Sequence, residues 1–142
     1  MEKEKLSRIR HLALDMDGTI YLGSRIFPFT IPFLEKMKAA GIGISFLTNN
    51  PTRSVQDYLD KLAKMGIIAD RENMYSSAVA TIDYIRKTYP QVRKLFILGT
   101  PSMTSQFEEA GFISCADDPD DVPQMLVIAF DPTLTYSRLC RA

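Results

Sequence analysis

The sequence predicts an α/β fold built on a parallel sheet, and three observations predict it. Short apolar runs recur, and each ends in polar or turn-forming residues: His11 to Leu14 before Asp15, Ile42 to Leu47 before Thr48-Asn49-Asn50-Pro51, Lys94 to Leu98 before Gly99, and Met125 to Phe130 before Asp131. Between these runs stand segments whose apolar residues repeat at helical spacing. Several of those segments close on a glycine, Gly41, Gly66 and Gly111, where a helix that needs a left-handed residue past its end would stop.

In chain order, His11 to Leu14 is bounded by charge and reads as a buried strand whose C-terminal end is Asp15. Thr30 is expected to cap a helix through Ala40, with Ile31, Leu34 and Met37 on one side. Ile42 to Leu47, rich in β-branched and aromatic residues, is the second strand. Val55, Tyr58, Leu59, Leu62 and Ala63 follow the i, i+3, i+4, i+7, i+8 pattern of a helix packed on a core. Asn73-Met74-Tyr75 reads as a third strand, after which Ser76 or Ser77 caps a helix carrying Val79, Ile82 and Ile85 until Pro90 stops it. Lys94 to Leu98 is the next strand. Thr100 and Pro101 form a cap and a first helical residue, with Met103, Phe107 and Ala110 turned inward. Met125 to Phe130 is the last strand, and Thr133 or Thr135 opens a helix that runs to the end of the chain at Ala142.

The chemistry concentrates in Asp15-Met16-Asp17-Gly18-Thr19. Open α/β sheets bind ligands at the carboxyl ends of their strands, and a carboxylate there suits covalent attack on phosphorus, because an acyl phosphate divides one hard displacement into two easier ones. Asp17, carried onto the following turn, is placed to protonate a leaving oxygen and later to accept a proton from water. Gly18 permits a turn that leaves main-chain N–H groups free for an oxyanion, and Thr19 adds a hydroxyl. Asp15 and Asp17 as simple turn caps are the bland alternative. The hydroxyl of Thr48 and the N–H of Asn49, at the end of a parallel neighbour, would hold a non-bridging phosphate oxygen opposite Asp15; taken alone, Thr48, Asn49 and Asn50 read equally as a loop leading into a helix.

Composition excludes several classes. The 142 residues carry 46% hydrophobic and 24% charged side chains, ordinary for a globular chain. Seventeen basic residues balance seventeen acidic ones and are scattered, which leaves no electrostatic footprint for nucleic acid. The charged start, Met1-Glu2-Lys3-Glu4-Lys5, lacks an apolar signal core, and no run reaches membrane-spanning length, so the cytoplasm is the expected compartment and no membrane partner is expected. Cys115 and Cys140 are expected as thiols rather than as a disulfide or a zinc site. His11, the only histidine, is expected to be structural, and Asp117-Asp118-Pro119-Asp120-Asp121 to be a solvated acidic loop rather than a calcium site.

Together, Asp15 to Thr19 and the strand-terminal Thr48 with Asn49 resemble the first two motifs of the haloacid dehalogenase-like hydrolases. Asp17-Gly18-Thr19-Ile20-Tyr21-Leu22-Gly23, Thr48-Asn49-Asn50-Pro51-Thr52-Arg53-Ser54, Tyr75-Ser76-Ser77-Ala78 and Phe130-Asp131-Pro132-Thr133-Leu134-Thr135-Tyr136 are similar to subfamily IIA, the sugar-phosphatase and nitrophenylphosphatase branch. Phe27-Pro28-Phe29-Thr30 departs from the family's usual Pro-Gly turn. The resemblance implies a partial Rossmann-like parallel sheet core over residues 1–75 and an incomplete α/β cap over residues 76–142. It also implies Asp15 as nucleophile and Mg²⁺ ligand, Asp17 as acid/base and as a second ligand through its main-chain carbonyl, and Thr48 and Asn49 as phosphate binders. The implied function is a Mg²⁺-dependent phosphatase of small phosphorylated metabolites working through an aspartyl phosphate.

The family's third motif, with its lysine, and fourth motif, with further acidic metal ligands, have no match in the chain; Lys61, Lys64, Lys87 and Lys94 sit in other contexts. The chain therefore reads as C-terminally truncated and impaired, with Mg²⁺ held loosely. The second reading is a non-catalytic remnant that binds a phosphate ligand or a partner subunit. A phosphorylatable receiver module is third, lacking the Thr48-Asn49 arrangement. Truncation further implies that the strand bearing Asp15 becomes a sheet edge, so that the chain is expected either to form a homodimer through that edge or to be unstable alone.

Overall fold

A computed structural model describes residues 7–142; the charged start, Met1 to Lys5, lies outside the described residues. Contacts divide the chain into two compact units, the first comprising residues up to Thr48 with Tyr58–Tyr75, the second Asn49–Asp57 with Ser76–Ala142.

In the first unit, β1 (His11–Asp15) pairs in parallel with a longer strand of residues 43–48. Between them come a hairpin of β2 (Tyr21–Leu22) and β3 (Arg25–Ile26), then α1 (Thr30–Ala39); the longer strand is β4 (Gly43–Thr48). With β5 (Met74–Ser76) the sheet order is β1-β4-β5. β1 is thus an edge strand, and the buried strand expected from its sequence is instead half-buried at alternate residues, Leu12 and Leu14, with His11, Ala13 and Asp15 exposed. Leu12 and Leu14 lie in register with Ile44 and Phe46. His11 joins the same pair of strands through its Nε2, 2.8 Å from the Ser45 hydroxyl.

α1 starts where expected, but Thr30 is not its cap. The capping position is Phe29, without a side-chain bond, because the Thr30 hydroxyl turns inward and donates to the Ile20 carbonyl at 2.6 Å. Gly41, at φ +68°, ends the helix as its position requires. α2 (Val55–Lys64) buries Val55, Tyr58 and Leu62 but leaves Ala63 exposed. Asn73 closes a 3₁₀ turn over Arg71–Asn73 rather than opening β5, its amide nitrogen donating to the Ile44 carbonyl at 3.1 Å.

In the second unit, α3 (Ser77–Thr88) is capped by Ser76, whose hydroxyl accepts from the Val79 N–H at 3.3 Å. β6 (Lys94–Leu98) is central in the sheet order β7-β6-β8, with β7 (Ile113–Ser114) and β8 (Met125–Ile128) both parallel to it. α4 (Pro101–Glu109) has the expected Thr100 cap and Pro101 start. One apolar cluster, including Ile82, Ile85, Leu95, Ile97, Met103, Phe107 and Val127, joins α3 and α4 to one face of this sheet. α5 (Tyr136–Arg141) is capped by Thr135; Thr133 instead completes a turn on Asp131, whose Oδ1 accepts its N–H at 2.8 Å and its hydroxyl at 2.6 Å.

The Asp117–Asp121 loop is anchored as well as solvated. Asp121 accepts a bond from Lys94 on β6 and another from the Ala116 N–H at 2.8 Å, and the pairing holds the Asp121 carboxyl below and the Lys94 ammonium above their ordinary ranges. Cys115 and Cys140 are free thiols. Among the described residues no helix is long and apolar enough to cross a membrane.

Candidate active site

The parallel register of β1 and β4 sets Asp15 beside Leu47, so Thr48 ends its strand one residue past the level of Asp15, at the same edge of the sheet. Immediately after Asp15 the chain coils into a single tight turn. The carbonyl of buried Met16 accepts the N–H groups of Thr19 at 3.1 Å, Ile20 at 2.9 Å and Tyr21 at 3.4 Å, while the Gly18 N–H donates to Tyr21 at 2.7 Å. Gly18 sits at φ +85°, a conformation that strains any residue with a side chain.

That turn fixes both carboxylates. The Thr19 hydroxyl donates to Asp15 Oδ2 at 3.0 Å, and Asp17 Oδ1 accepts the N–H of Gly23 at 3.3 Å from the bend of the β2–β3 hairpin. Asp15, Asp17, Gly18 and Thr19 are all exposed, and Thr48 is half-buried. Beneath them the turn is rooted in the core: Ile20 and Tyr21 are buried, Thr30 holds the Ile20 carbonyl, and the Lys61 ammonium lies 3.9 Å above the Tyr21 ring. Such a contact is worth roughly 0.5–2 kcal/mol depending on its desolvation.

The structure therefore brings Asp15, Asp17, Thr19 and Thr48 to one end of one sheet. Asn49, next in the chain, opens the second unit, where its carbonyl accepts a bond from the Ser77 hydroxyl at 3.2 Å. Among the described residues no cluster of three His, Cys, Asp or Glu is poised to hold a metal ion. The oxygen donors of Asp15 and Asp17 are the right kind for Mg²⁺, which accepts one or two carboxylates with water and phosphate completing its shell.

Sequence reasoning missed the hairpin that holds Asp17, although Gly23 between Leu22 and Ser24 was a turn signal. It also missed Ser54-Val55-Gln56-Asp57, a reciprocal cap at the start of α2. The Ser54 hydroxyl accepts the Asp57 N–H at 3.2 Å, and Asp57 Oδ2 accepts the Ser54 N–H at 2.8 Å. Ser102 on α4 also donates to this carboxylate; its hydroxyl first, and Ser54 next, hold Asp57 below the usual carboxylate range against the opposing effect of burial. Thr100 and the buried Gln106 complete the attachment, binding the Thr52 carbonyl at 3.0 Å and the Val55 N–H at 3.1 Å. These bonds account for residues 49–57 contacting the second unit although they directly follow β4.

A family model of the haloacid dehalogenase-like hydrolases matches residues 12–113. The chain belongs to the haloacid dehalogenase-like hydrolases. Its relatives place it in subfamily IIA. The acid sugar phosphatase of Staphylococcus aureus is 32% identical over 129 residues, which are 91% of this chain and 48% of that protein. The crystal structure of the 4-nitrophenylphosphatase of Thermotoga maritima superposes with a TM-score of 0.86 at 35% identity, over 96% of this chain and 50% of its own. The glycerol phosphate phosphatase of Mycobacterium tuberculosis, solved in complex with magnesium, shares the fold with a TM-score of 0.82 at 22% identity, over 94% of this chain and 39% of its own. The chain thus spans about half the length of the curated relatives it matches.

Proposed function

We propose that this chain carries the nucleophile-bearing half of a phosphatase site for small phosphorylated metabolites. The observation that supports it most is the pair of strand ends β1 and β4, with Asp15 fixed by Thr19 at one and Thr48 at the other. With Oδ2 of Asp15 held by the Thr19 hydroxyl, Oδ1 attacks phosphorus and forms the acyl phosphate as the ester P–O bond breaks. Asp17 delivers a proton to the departing alkoxide oxygen. The same carboxylate then takes a proton from a water molecule that attacks phosphorus, releasing inorganic phosphate and restoring Asp15. Thr48 and the Asn49 N–H bind non-bridging oxygens, and Asp15 with the Asp17 carbonyl would hold Mg²⁺, which neutralises phosphate charge when bound.

Residues 76–142 in this proposal are the cap that selects substrate, and residues 1–75 the catalytic core. The cytoplasm is the proposed compartment, supported by two free thiols. Hydrolysis of 4-nitrophenyl phosphate with Mg²⁺ tests the reading. Turnover that falls below detection in both Asp15→Asn and Asp17→Asn, with both variants folded, supports it. Turnover unchanged in Asp15→Asn would exclude it. Phosphate binding without turnover in the unmodified chain would favour the ligand-binding remnant.

A further inference from the structure

The start of α2 is capped by two layers of side chains, and only the first comes from its own turn. Ser54 and Asp57 close the reciprocal cap there, which is what a helix of this kind ordinarily uses. α4 supplies the second layer. The Ser102 hydroxyl donates to the same Asp57 oxygen and accepts the Ser54 N–H at 2.9 Å, so Asp57 Oδ2 is met by the Ser54 N–H, the Ser54 hydroxyl and the Ser102 hydroxyl together. Gln106 reaches the next amide, its Oε1 accepting the Val55 N–H at 3.1 Å. That N–H belongs to the first turn, where a helix offers its amides no internal partner.

The residue types on α4 separate these contacts from simple packing. Met103 and Phe107 are buried as members of the apolar cluster, whereas Gln106, only 5% exposed, is buried as an amide. A polar group in the interior costs free energy unless it is bonded, and a leucine would fill the same space. What the amide adds is the bond to α2. Thr100 caps α4 by accepting the Met103 N–H at 3.3 Å and also donates to the Thr52 carbonyl at 3.0 Å. Further back, Asn50 Oδ1 accepts the Thr52 N–H at 3.0 Å and its hydroxyl at 2.8 Å, and the Asn49 carbonyl accepts the Ser77 hydroxyl at 3.2 Å. The segment Asn49–Asp57 is thus held from its first residue to its last inside one compact unit.

We propose that Asp57, Ser102 and Gln106 are positioning residues for phosphate, which fix the segment that Asn49 opens, and with it the Asn49 N–H, in the conformation that meets a phosphate oxygen. The proposal deepens the phosphatase reading and stands on it, because only there is Asn49 a phosphate binder. The three side chains act through the chain rather than by touching the ligand. Their effect is on population: apparent affinity falls in proportion to the fraction of molecules whose segment keeps the binding conformation. The Ser102 hydroxyl first, then Ser54 and the Arg53 charge, hold the Asp57 carboxyl below its usual range against burial, which keeps it an ionised acceptor and strengthens the bonds it receives.

Amide NMR of the full chain during titration with inorganic phosphate and Mg²⁺, followed at Asn49, tests it. The unmodified chain should show a saturable shift, Ser102→Ala an apparent Kd about tenfold higher, and Ser102→Thr, which keeps the hydroxyl, a Kd restored toward the original. Gln106→Leu, which keeps the volume and deletes the bond, should weaken phosphate in the same direction. Ile82→Val trims the buried cluster of the same unit and should lower thermal stability while leaving the phosphate Kd unchanged. Equal affinity in the unmodified chain, Ser102→Ala and Gln106→Leu, all folded by circular dichroism, would overturn the proposal and leave the phosphatase reading standing, as would an equal loss in Ile82→Val, which marks a role confined to stability. An Asn49 amide that phosphate does not move in the unmodified chain would remove Asn49 as a phosphate binder, and the proposal with it.

Discussion

Removing the hydroxyl of Thr30 tests how the catalytic turn is supported. Thr30 is fully buried and donates to the Ile20 carbonyl at 2.6 Å, so Thr30→Val keeps the side chain's branched shape and deletes only the bond. The net worth of such a bond is about 1 kcal/mol, and an acceptor left bare in the interior costs about 1–3 kcal/mol. The Ile20 carbonyl, however, also accepts the Phe27 N–H at 3.2 Å. It is therefore not orphaned, and the lower end of that range applies. The expected loss is about 1 kcal/mol, read as a lower urea midpoint at constant slope and as a fall of about 2–4 °C in Tm. Hydrogen exchange should quicken at the amides of Ile20 and Tyr21, which donate to the Met16 carbonyl. Unchanged stability together with unchanged exchange at these two amides would refute the claim that the core anchors the turn through Thr30.

Three further outcomes follow from the packing and charge of each unit. Phe107, completely buried in the cluster of α3, α4 and the β6 sheet, should cost about 3–5 kcal/mol on truncation to alanine, measured by urea unfolding. Ser54→Ala removes one half of the reciprocal cap on α2 and should cost about 1 kcal/mol by the same measurement. Asp131 is held below the ordinary carboxylate range, chiefly by the Thr133 hydroxyl, then by the Thr133 N–H and the Arg138 charge, with burial opposing. A group whose folded value is depressed contributes stability above its unfolded value of about 3.9 and loses it as the pH falls toward the folded value. Thermal melts should therefore show the unmodified chain losing stability below about pH 5 more steeply than Asp131→Asn.

Where local chemistry alone decides a structure, the sequence was enough. Lys94–Leu98 is a strand with the expected bounds, and Thr100-Pro101 starts α4 as expected, because a cap and a first-turn proline act within a few residues. Asp15 ends β1 for the same reason. Where a side chain answers to a distant partner, local reading failed. Thr30 has the composition of a cap, but the Ile20 carbonyl ten residues earlier claims its hydroxyl. Asn73 reads as strand until its amide is seen bound to Ile44. The two-residue strands β2, β3 and β7 are too short to show periodicity. Val127 and Ile128 look alike in sequence, and only the sheet register separates the buried residue from the exposed one. The site was legible as residue types and spacing; the bonds that orient it, from Thr19 to Asp15 and from Gly23 to Asp17, were not.

The central claim is that the Asp15 carboxylate is the atom group phosphorus reaches, with Asp17 needed to release it. Incubating Asp17→Asn with acetyl phosphate and Mg²⁺, followed by mass mapping of the digested chain, addresses it directly. The account predicts a single phosphoryl group on the peptide containing Asp15, abolished when Asp15→Asn is added. A phosphoryl group on any other residue, or none at all on a folded chain, would contradict it.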